Sequence, residues 1–220
     1  YYVPAGSCSR RDGTQVIQLW HACGALKRFG YDAADDMSSF YKGNSMKNCT
    51  LVTVSAKLCE PVYAKALGIS ECAVKALGVS RTDRYFDEAY RADCVRRFFE
   101  DCPQAKGKRI VLWAPTFRGN AGNPRLEGAE AINEVQKRLG NDYFFVKKLH
   151  PHFADSYGEP VTSMLTEEVM AAADVLVTDY SSVLFDFMAY KKPVVLFAPD
   201  GAAYASGRGF YLDYASIPAF

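Results

Sequence analysis

The sequence predicts an α/β protein whose parallel sheets are covered by helices on both faces. Three observations predict it. Short apolar runs are nearly continuous and β-rich, segments with helical periodicity alternate with them, and the runs end in polar turns. A chain of 220 residues is long enough for one large domain or two small α/β domains with a proper core.

The elements follow in order. Gln15 to Trp20 reads as a strand, Thr50 to Val54 as another, and Glu60 to Leu67 as a helix with Pro61 at its start, where a missing N–H costs nothing. Asp87 to Cys102 has one apolar and one charged face and ends at Cys102-Pro103. The polar stretch Gln104 to Lys108 breaks the pattern and is the expected boundary between domains 1–103 and 104–220. Beyond it come a strand at Arg109–Trp113, a helix at Glu130–Leu139 and a strand at Tyr143–Val146. The series continues with a helix at Thr166–Ala173, begun by a capping-box-like Thr166-Glu167-Glu168, and a strand at Asp174–Thr178. A helix at Ser182–Tyr190 and a strand at Pro193–Phe197 complete it.

Composition narrows the function classes. Hydrophobic residues make up 49% and charged residues 23%, the balance of a soluble globular protein. A net charge of +1 gives no overall pull toward nucleic acid or anionic lipid, so any anion must be bound by a local cluster. No apolar run approaches the ~20 residues of a membrane span, and no basic-then-apolar start reads as a signal peptide. Seven cysteines, at 8, 23, 49, 59, 72, 94 and 102, form no CxxC pair, so reduced thiols and a cytosolic setting are expected. The chain opens at Tyr1-Tyr2-Val3-Pro4 without Met and stops at Ile217-Pro218-Ala219-Phe220, so a fragment of a longer protein is expected.

Four segments carry candidate chemistry. In Asp174 to Asp186 a buried strand ends in the turn Thr178-Asp179-Tyr180-Ser181-Ser182 and a helix begins. Open α/β sheets bind ligands at the carboxyl ends of their strands, and a helix start offers free N–H groups to a phosphate. Ser181 and Ser182 add hydroxyls, although one of them could serve only as an N-cap, and Asp186 is a candidate for a ribose hydroxyl or else a structural aspartate. In Lys147 to His152 a strand delivers His150 to the same rim and Pro151 stops it. Histidine suits proton transfer or donation to a phosphate, or a plain structural bond. Leu19 to Lys27 repeats the pattern. A strand runs into His21, then a turn of small residues is expected to open a helix, with Gly24 permitting close approach and Lys27 facing a phosphate or solvent. Gly207-Arg208-Gly209 places a planar guanidinium on an accessible backbone, and Arg118, with Thr116 two residues before it, repeats the idea after the strand at 109–113. Arg81 does so more weakly. No HxxxH or DxD pair stands near His21, His150 or His152, so no metal site is expected.

Together these segments resemble the CDP-glycerol glycerophosphotransferase family, the teichoic acid primases and polymerases. The matching motifs are Trp20-His21 with Gly24 and Lys27, Ala114-Pro115-Thr116-Phe117-Arg118, Lys148-Leu149-His150-Pro151, Thr178 to Ser182 with Asp186, and Arg208-Gly209-Phe210-Tyr211 with Asp213. They stand in the family's order over nearly the whole chain. The resemblance implies a GT-B-like fold, two Rossmann-like domains facing a cleft, with the acceptor side in 1–103 and the CDP-donor side in 104–220. It implies transfer of a polyol phosphate from CDP-glycerol or CDP-ribitol to a lipid-linked, teichoic-acid-like acceptor, with no further cofactor. The setting it implies is the inner face of the cell membrane, in peripheral contact made by segments outside this chain. It makes His21 the counterpart of the catalytic base, and His150, Ser181, Ser182 and Arg208 counterparts of donor-phosphate contacts. Ala22-Cys23-Gly24 departs from the Gly-Thr-Pro that many members carry after the first histidine, so the polyol and acceptor stay open. A GT-B enzyme acting on a UDP-sugar and a nucleotide-binding module without catalysis are the competing readings.

Overall fold

The structure, a computed structural model, describes residues 3–33, 36, 43–120, 123–149 and 161–212. His150, His152 and Asp213 lie outside the described residues. The chain divides into two compact units, one holding the described residues up to Thr82 together with those from Ala202 onward, the other spanning Asp83–Gly201.

The first unit contains α1 (Val3–Ser7), β1 (Ile17–Leu19), β2 (Leu51–Thr53), α2 (Cys59–Leu67) and β3 (Val74–Lys75). The strands form one parallel sheet in the order β1-β2-β3, with Ile17 beside Leu51 and Val52 beside Val74. Val52, Val54, Tyr63, Leu67 and Val74, each at most 2% exposed, make the core by which α2 is held to the sheet. Burying side chains of this size stabilises by about 1.5–3 kcal/mol each. Pro61 sits in the first turn of α2, as expected. The helix stops at Gly68, whose φ of 62° is left-handed and suits a residue without a Cβ.

The second unit contains α3 (Glu88–Asp101), β4 (Arg109–Ala114), the hairpin β5 (Arg118–Asn120) and β6 (Asn123–Arg125), α4 (Ala129–Leu139) and β7 (Tyr143–Lys147). It continues with α5 (Thr166–Ala172), β8 (Val175–Thr178), α6 (Val183–Phe187) and β9 (Val194–Leu196). Outside the hairpin, its strands form one parallel sheet in the order β7-β4-β8-β9. Strand alternation sorts the faces. Ile110, Leu112, Ala114, Val146 and Leu176 pack with α3, α5 and α6, whereas Val111, Trp113, Phe145 and Val177 pack with Ile132 of α4. With α4 on one face and α5 and α6 on the other, the connections reverse direction between β4 and β8. That reversal makes a topological switch point at the carboxyl ends of these two strands.

The apolar runs thus form parallel sheets, and the helix ends obey local chemistry. Asp87 caps α3 by accepting from the N–H groups of Ala89 and Tyr90 at 2.9 and 3.2 Å. At α5 the cap differs from the sequence expectation. Leu165, not Thr166, precedes the helix, and its N–H donates to Glu168 Oε2 at 2.8 Å, one half of a capping box. The expected helix at 182–190 is α6 followed by a 3-10 turn at Met188–Tyr190.

The polar stretch Gln104–Lys108 lies inside the second unit, and the two units divide at Thr82/Asp83. The reason is α3: its apolar residues Cys94 and Phe98, with Cys102 behind them, are fully buried in the second unit's core, and Arg97 pairs with Glu168 of α5 at 2.9 Å. The stretch is the turn that carries the chain from α3 into β4, with Gly107 at φ 76°. The segment after β9 also departs from expectation. It forms α7 (Gly201–Gly207), and the described residues from Ala202 to Leu212 belong to the first unit.

Candidate active site

In the second unit, the loops after β4, β8 and β9 meet at the switch-point rim through Arg118. The Asp179 carboxylate accepts from the N–H of Thr116 at 2.8 Å and from that of Tyr180 at 2.6 Å, joining the loops after β4 and β8. Arg118 Nη2 lies 2.9 Å from Asp179 Oδ2. Its Nε and Nη2 donate to the two Asp200 oxygens at 2.7 and 2.9 Å, a bidentate pair. Nη1 donates to the Thr116 carbonyl at 2.6 Å, and the guanidinium lies 4.9 Å over the Tyr180 ring. Burial works against the charge of Arg118, but the facing Asp200 and Asp179 outweigh it and raise its pKa above the ordinary arginine value. The hydrogen bond from Arg118 holds the Asp200 pKa below the usual carboxylate range, against partial burial.

The other residues singled out after β4 and β8 sit close by in the chain. The Thr116 hydroxyl is buried and has no hydrogen-bond partner among the described residues. Such an orphan at a rim calls for an explanation, and a bound ligand is one. Ser181 Oγ accepts weakly from the Val183 N–H at 3.4 Å; Ser182 precedes α6 with no side-chain cap bond. The bare-cap reading of Ser182 therefore finds no support in the geometry. Asp186, 3% exposed, is enclosed within α6's buried face.

In the first unit, β1 delivers His21 to its carboxyl end, as expected. The imidazole is exposed at one side and stacks on Trp20, with ring centroids 4.9 Å apart. Partial desolvation first, and the positive charge of Arg81 second, lower its pKa from the ordinary histidine value. The ring is accordingly neutral near pH 7, the form that accepts a proton. Gly24, at φ 64°, is held on both sides: its N–H donates to Ser55 Oγ and its carbonyl accepts from the Tyr63 hydroxyl, each at 2.9 Å.

The turn at His21–Gly24 does not open a helix. Lys27 is extended and bridges to Phe210. The neighbouring backbone bonds, Arg28 N–H to the Gly209 carbonyl at 3.0 Å and Tyr211 N–H to the Leu26 carbonyl at 2.9 Å, hold it so. Backbone pairing with a segment distant in the chain has overridden local helix propensity. The same pairing explains the position of Arg208, which donates through Nε to the Arg28 carbonyl at 2.9 Å and pairs through Nη2 with Asp36 at 2.8 Å. Arg208 belongs to the first unit, whereas Ser181 and Ser182 belong to the second.

Sequence reasoning passed over Asp200 and Ser55 and gave Tyr180, inside the turn after the strand, no role of its own. Asp200 had a signal: Pro199-Asp200-Gly201 is a turn placed directly after a strand of the same sheet. Ser55 had none, since its bond to Gly24 spans 31 residues. Among the described residues no group of three or more His, Cys, Asp or Glu could hold a metal ion, and no helix is long and apolar enough to cross a membrane.

Comparison with known proteins places this geometry. Residues 2–219 match the family model described as CDP-glycerol:poly(glycerophosphate) glycerophosphotransferase, and the chain belongs to that family. It is 34% identical over 218 residues to the teichoic acid poly(ribitol-phosphate) polymerase of Bacillus spizizenii, covering 93% of this chain and 35% of that protein. It is 30% identical over 233 residues to the teichoic acid glycerol-phosphate primase of Bacillus subtilis, covering 99% and 58%. In fold it matches the structure of the wall teichoic acid polymerase TagF with a TM-score of 0.72, at 22% identity, over 94% of this chain and 55% of that one. The fold class is therefore the GT-B-like α/β class with parallel sheets. The chain spans about a third to three-fifths of the length of these relatives.

Proposed function

We propose that the protein transfers a polyol phosphate from a CDP-activated donor to a hydroxyl of a lipid-linked, teichoic-acid-like acceptor, releasing CMP. Family membership supports the donor class, and the observation that carries the reading is the pair of strand-end sites. One unit presents a neutral His21 at the end of β1; the other ties Thr116, Asp179 and Arg118 together at a switch point, the usual ligand position of such sheets.

In this mechanism the acceptor oxygen attacks the polyol-bearing phosphorus in line. The new P–O bond forms as the bond to the CMP oxygen breaks, and His21 takes the acceptor proton. An alcohol is a weak nucleophile near neutral pH, so a neutral imidazole within reach supplies what the reaction lacks. Thr116, Ser181 and Ser182 are proposed donor contacts in the second unit, with Asp186 a candidate for the ribose. Gly24, Lys27 and Arg208 are proposed substrate contacts in the first unit, the last toward the donor diphosphate. His150, proposed to donate to the phosphate or leaving group, and Asp213 complete the set from outside the described residues. A lipid-linked acceptor places the enzyme peripherally on the inner membrane face, with no nucleic-acid partner.

Two relatives sharpen the donor question. Identity is 34% to a ribitol-phosphate polymerase and 30% to a glycerol-phosphate primase, which favours ribitol phosphate as the second reading of the transferred group. Incubating the full-length protein with CDP-glycerol, CDP-ribitol or UDP-sugars and a lipid-linked acceptor tests all of this. CMP release with one of the two CDP-polyols is expected. Nucleotide release from UDP-sugars alone, or CDP-polyol binding without turnover, would overturn the proposal.

A further inference from the structure

Asp200 has no part in the mechanism just described, yet it is the residue on which the rim closes. Its carboxylate receives both arms of the Arg118 fork at 2.7 and 2.9 Å and the Tyr180 hydroxyl at 3.2 Å. Arg118 in turn holds Asp179 and the Thr116 carbonyl. Three loops that are far apart in the chain are therefore joined by one guanidinium, and Asp200 supplies the only anchor on the loop after β9 among the contacts of Arg118 described above.

We infer that Asp200 is a positioning residue for donor binding, acting through Arg118 and Tyr180 to fix the turn that presents Ser181 and Ser182. The inference rests on the proposed function and deepens it. Charge decides between binding and positioning. The guanidinium of Arg118 already faces the Asp179 and Asp200 carboxylates, so its charge is answered within the cluster and not held open for a diphosphate. The fork atoms are also already directed at Asp200, Asp179 and Thr116. A buried arrangement of this kind contributes little net stability compared with apolar packing, and its best-attested use is to impose one arrangement over others. Tyr180, stacked on Arg118 and bonded to Asp200, is adjacent in sequence to Ser181. A shift of the clasp therefore moves the serine turn directly.

The test uses the full-length protein with Asp200→Asn and Asp200→Glu. Two readouts are taken: KM and kcat for the CDP-polyol donor, and amide hydrogen exchange without donor. Asp200→Asn is expected to raise the donor KM by about tenfold or more while kcat stays within about threefold, the pattern of lost ground-state positioning. Exchange should quicken at residues 179–184 and 116–118 but not in β2 or α2. Asp200→Glu, which keeps a carboxylate for the fork, should recover most of the KM. An unchanged KM in Asp200→Asn overturns the inference, as does exchange that quickens across the whole second unit with kcat falling alongside. If the parent turns over neither CDP-glycerol nor CDP-ribitol, the functional proposal fails by itself. The exchange data then decide the clasp, and unchanged exchange at 179–184 overturns it.

Discussion

Replacing Arg118 by methionine measures how strongly the rim depends on its guanidinium. Methionine keeps an apolar stem of similar reach, so the change removes charge and donors more than volume. The Arg118 side chain is 8% exposed, Asp179 5% and Asp200 22%. In the variant Asp179 keeps the N–H groups of Thr116 and Tyr180 but loses the guanidinium, and Asp200 keeps the Tyr180 hydroxyl. Removing one partner of a buried ion pair costs about 3–5 kcal/mol, and the partial exposure of Asp200 points to about 3. The deficit should depend on pH. The Asp200 pKa is depressed in the folded protein, chiefly by the hydrogen bond from Arg118. Its contribution is therefore present above the unfolded value of about 4 and is lost as pH falls through the folded value. Methionine forfeits that contribution, so the deficit is largest near neutrality and shrinks below about pH 4. Urea unfolding followed by Trp113 fluorescence, in a Trp20→Phe background, reads the second unit alone, since the chain's two tryptophans lie in different units. A deficit below about 1 kcal/mol, the scale of an exposed pair, would refute the reasoning, as would an equal deficit at acidic and neutral pH.

Other outcomes follow from the same geometry. His21→Ala should lower the transfer rate by about 10²–10⁴ while donor binding, measured by calorimetry, survives; near-normal turnover would remove the base from the mechanism. Because the His21 pKa lies below the ordinary histidine value, the acid limb of the rate profile should lie below it too, and Arg81→Gln should move that limb upward. Arg208→Ala should weaken donor use by about 2–4 kcal/mol in kcat/KM, and a change confined to thermal stability would assign Arg208 to structural contacts such as those with Asp36 and the Arg28 carbonyl. Leu112→Ala, at a site with 0% exposure, should cost about 2–5 kcal/mol in the Trp113 unfolding assay. Asp87→Ala should cost about 1 kcal/mol in the same assay through loss of the α3 cap.

The strands and longer helices were legible because their signals are local. Continuous apolar runs such as Arg109–Trp113 have few options besides a buried strand, and the one-sided apolar pattern of Asp87–Cys102 reads as a helix. The five motifs in order gave the family for the same reason, since four of them are strand ends followed by their turns and the fifth is a short glycine-flanked arginine segment. What the sequence could not carry was pairing at long range. Whether Lys27 continues a helix or extends beside Phe210 is settled by hydrogen bonds to a segment some 180 residues away, which outweigh a weak local propensity. The unit division near Thr82 depended on which core would bury Phe98, not on the polarity of Gln104–Lys108. The rim clasp is the clearest case. Arg118 and Asp179 read as loop residues with no fixed partner and Asp200 was passed over, and only the parallel order β7-β4-β8-β9 brings the three loops side by side. Sequence by itself determined which residues make strands, caps and turns, because those choices are made within a few residues. Tertiary structure alone decided which turns share a carboxylate, because strand order and burial set those distances.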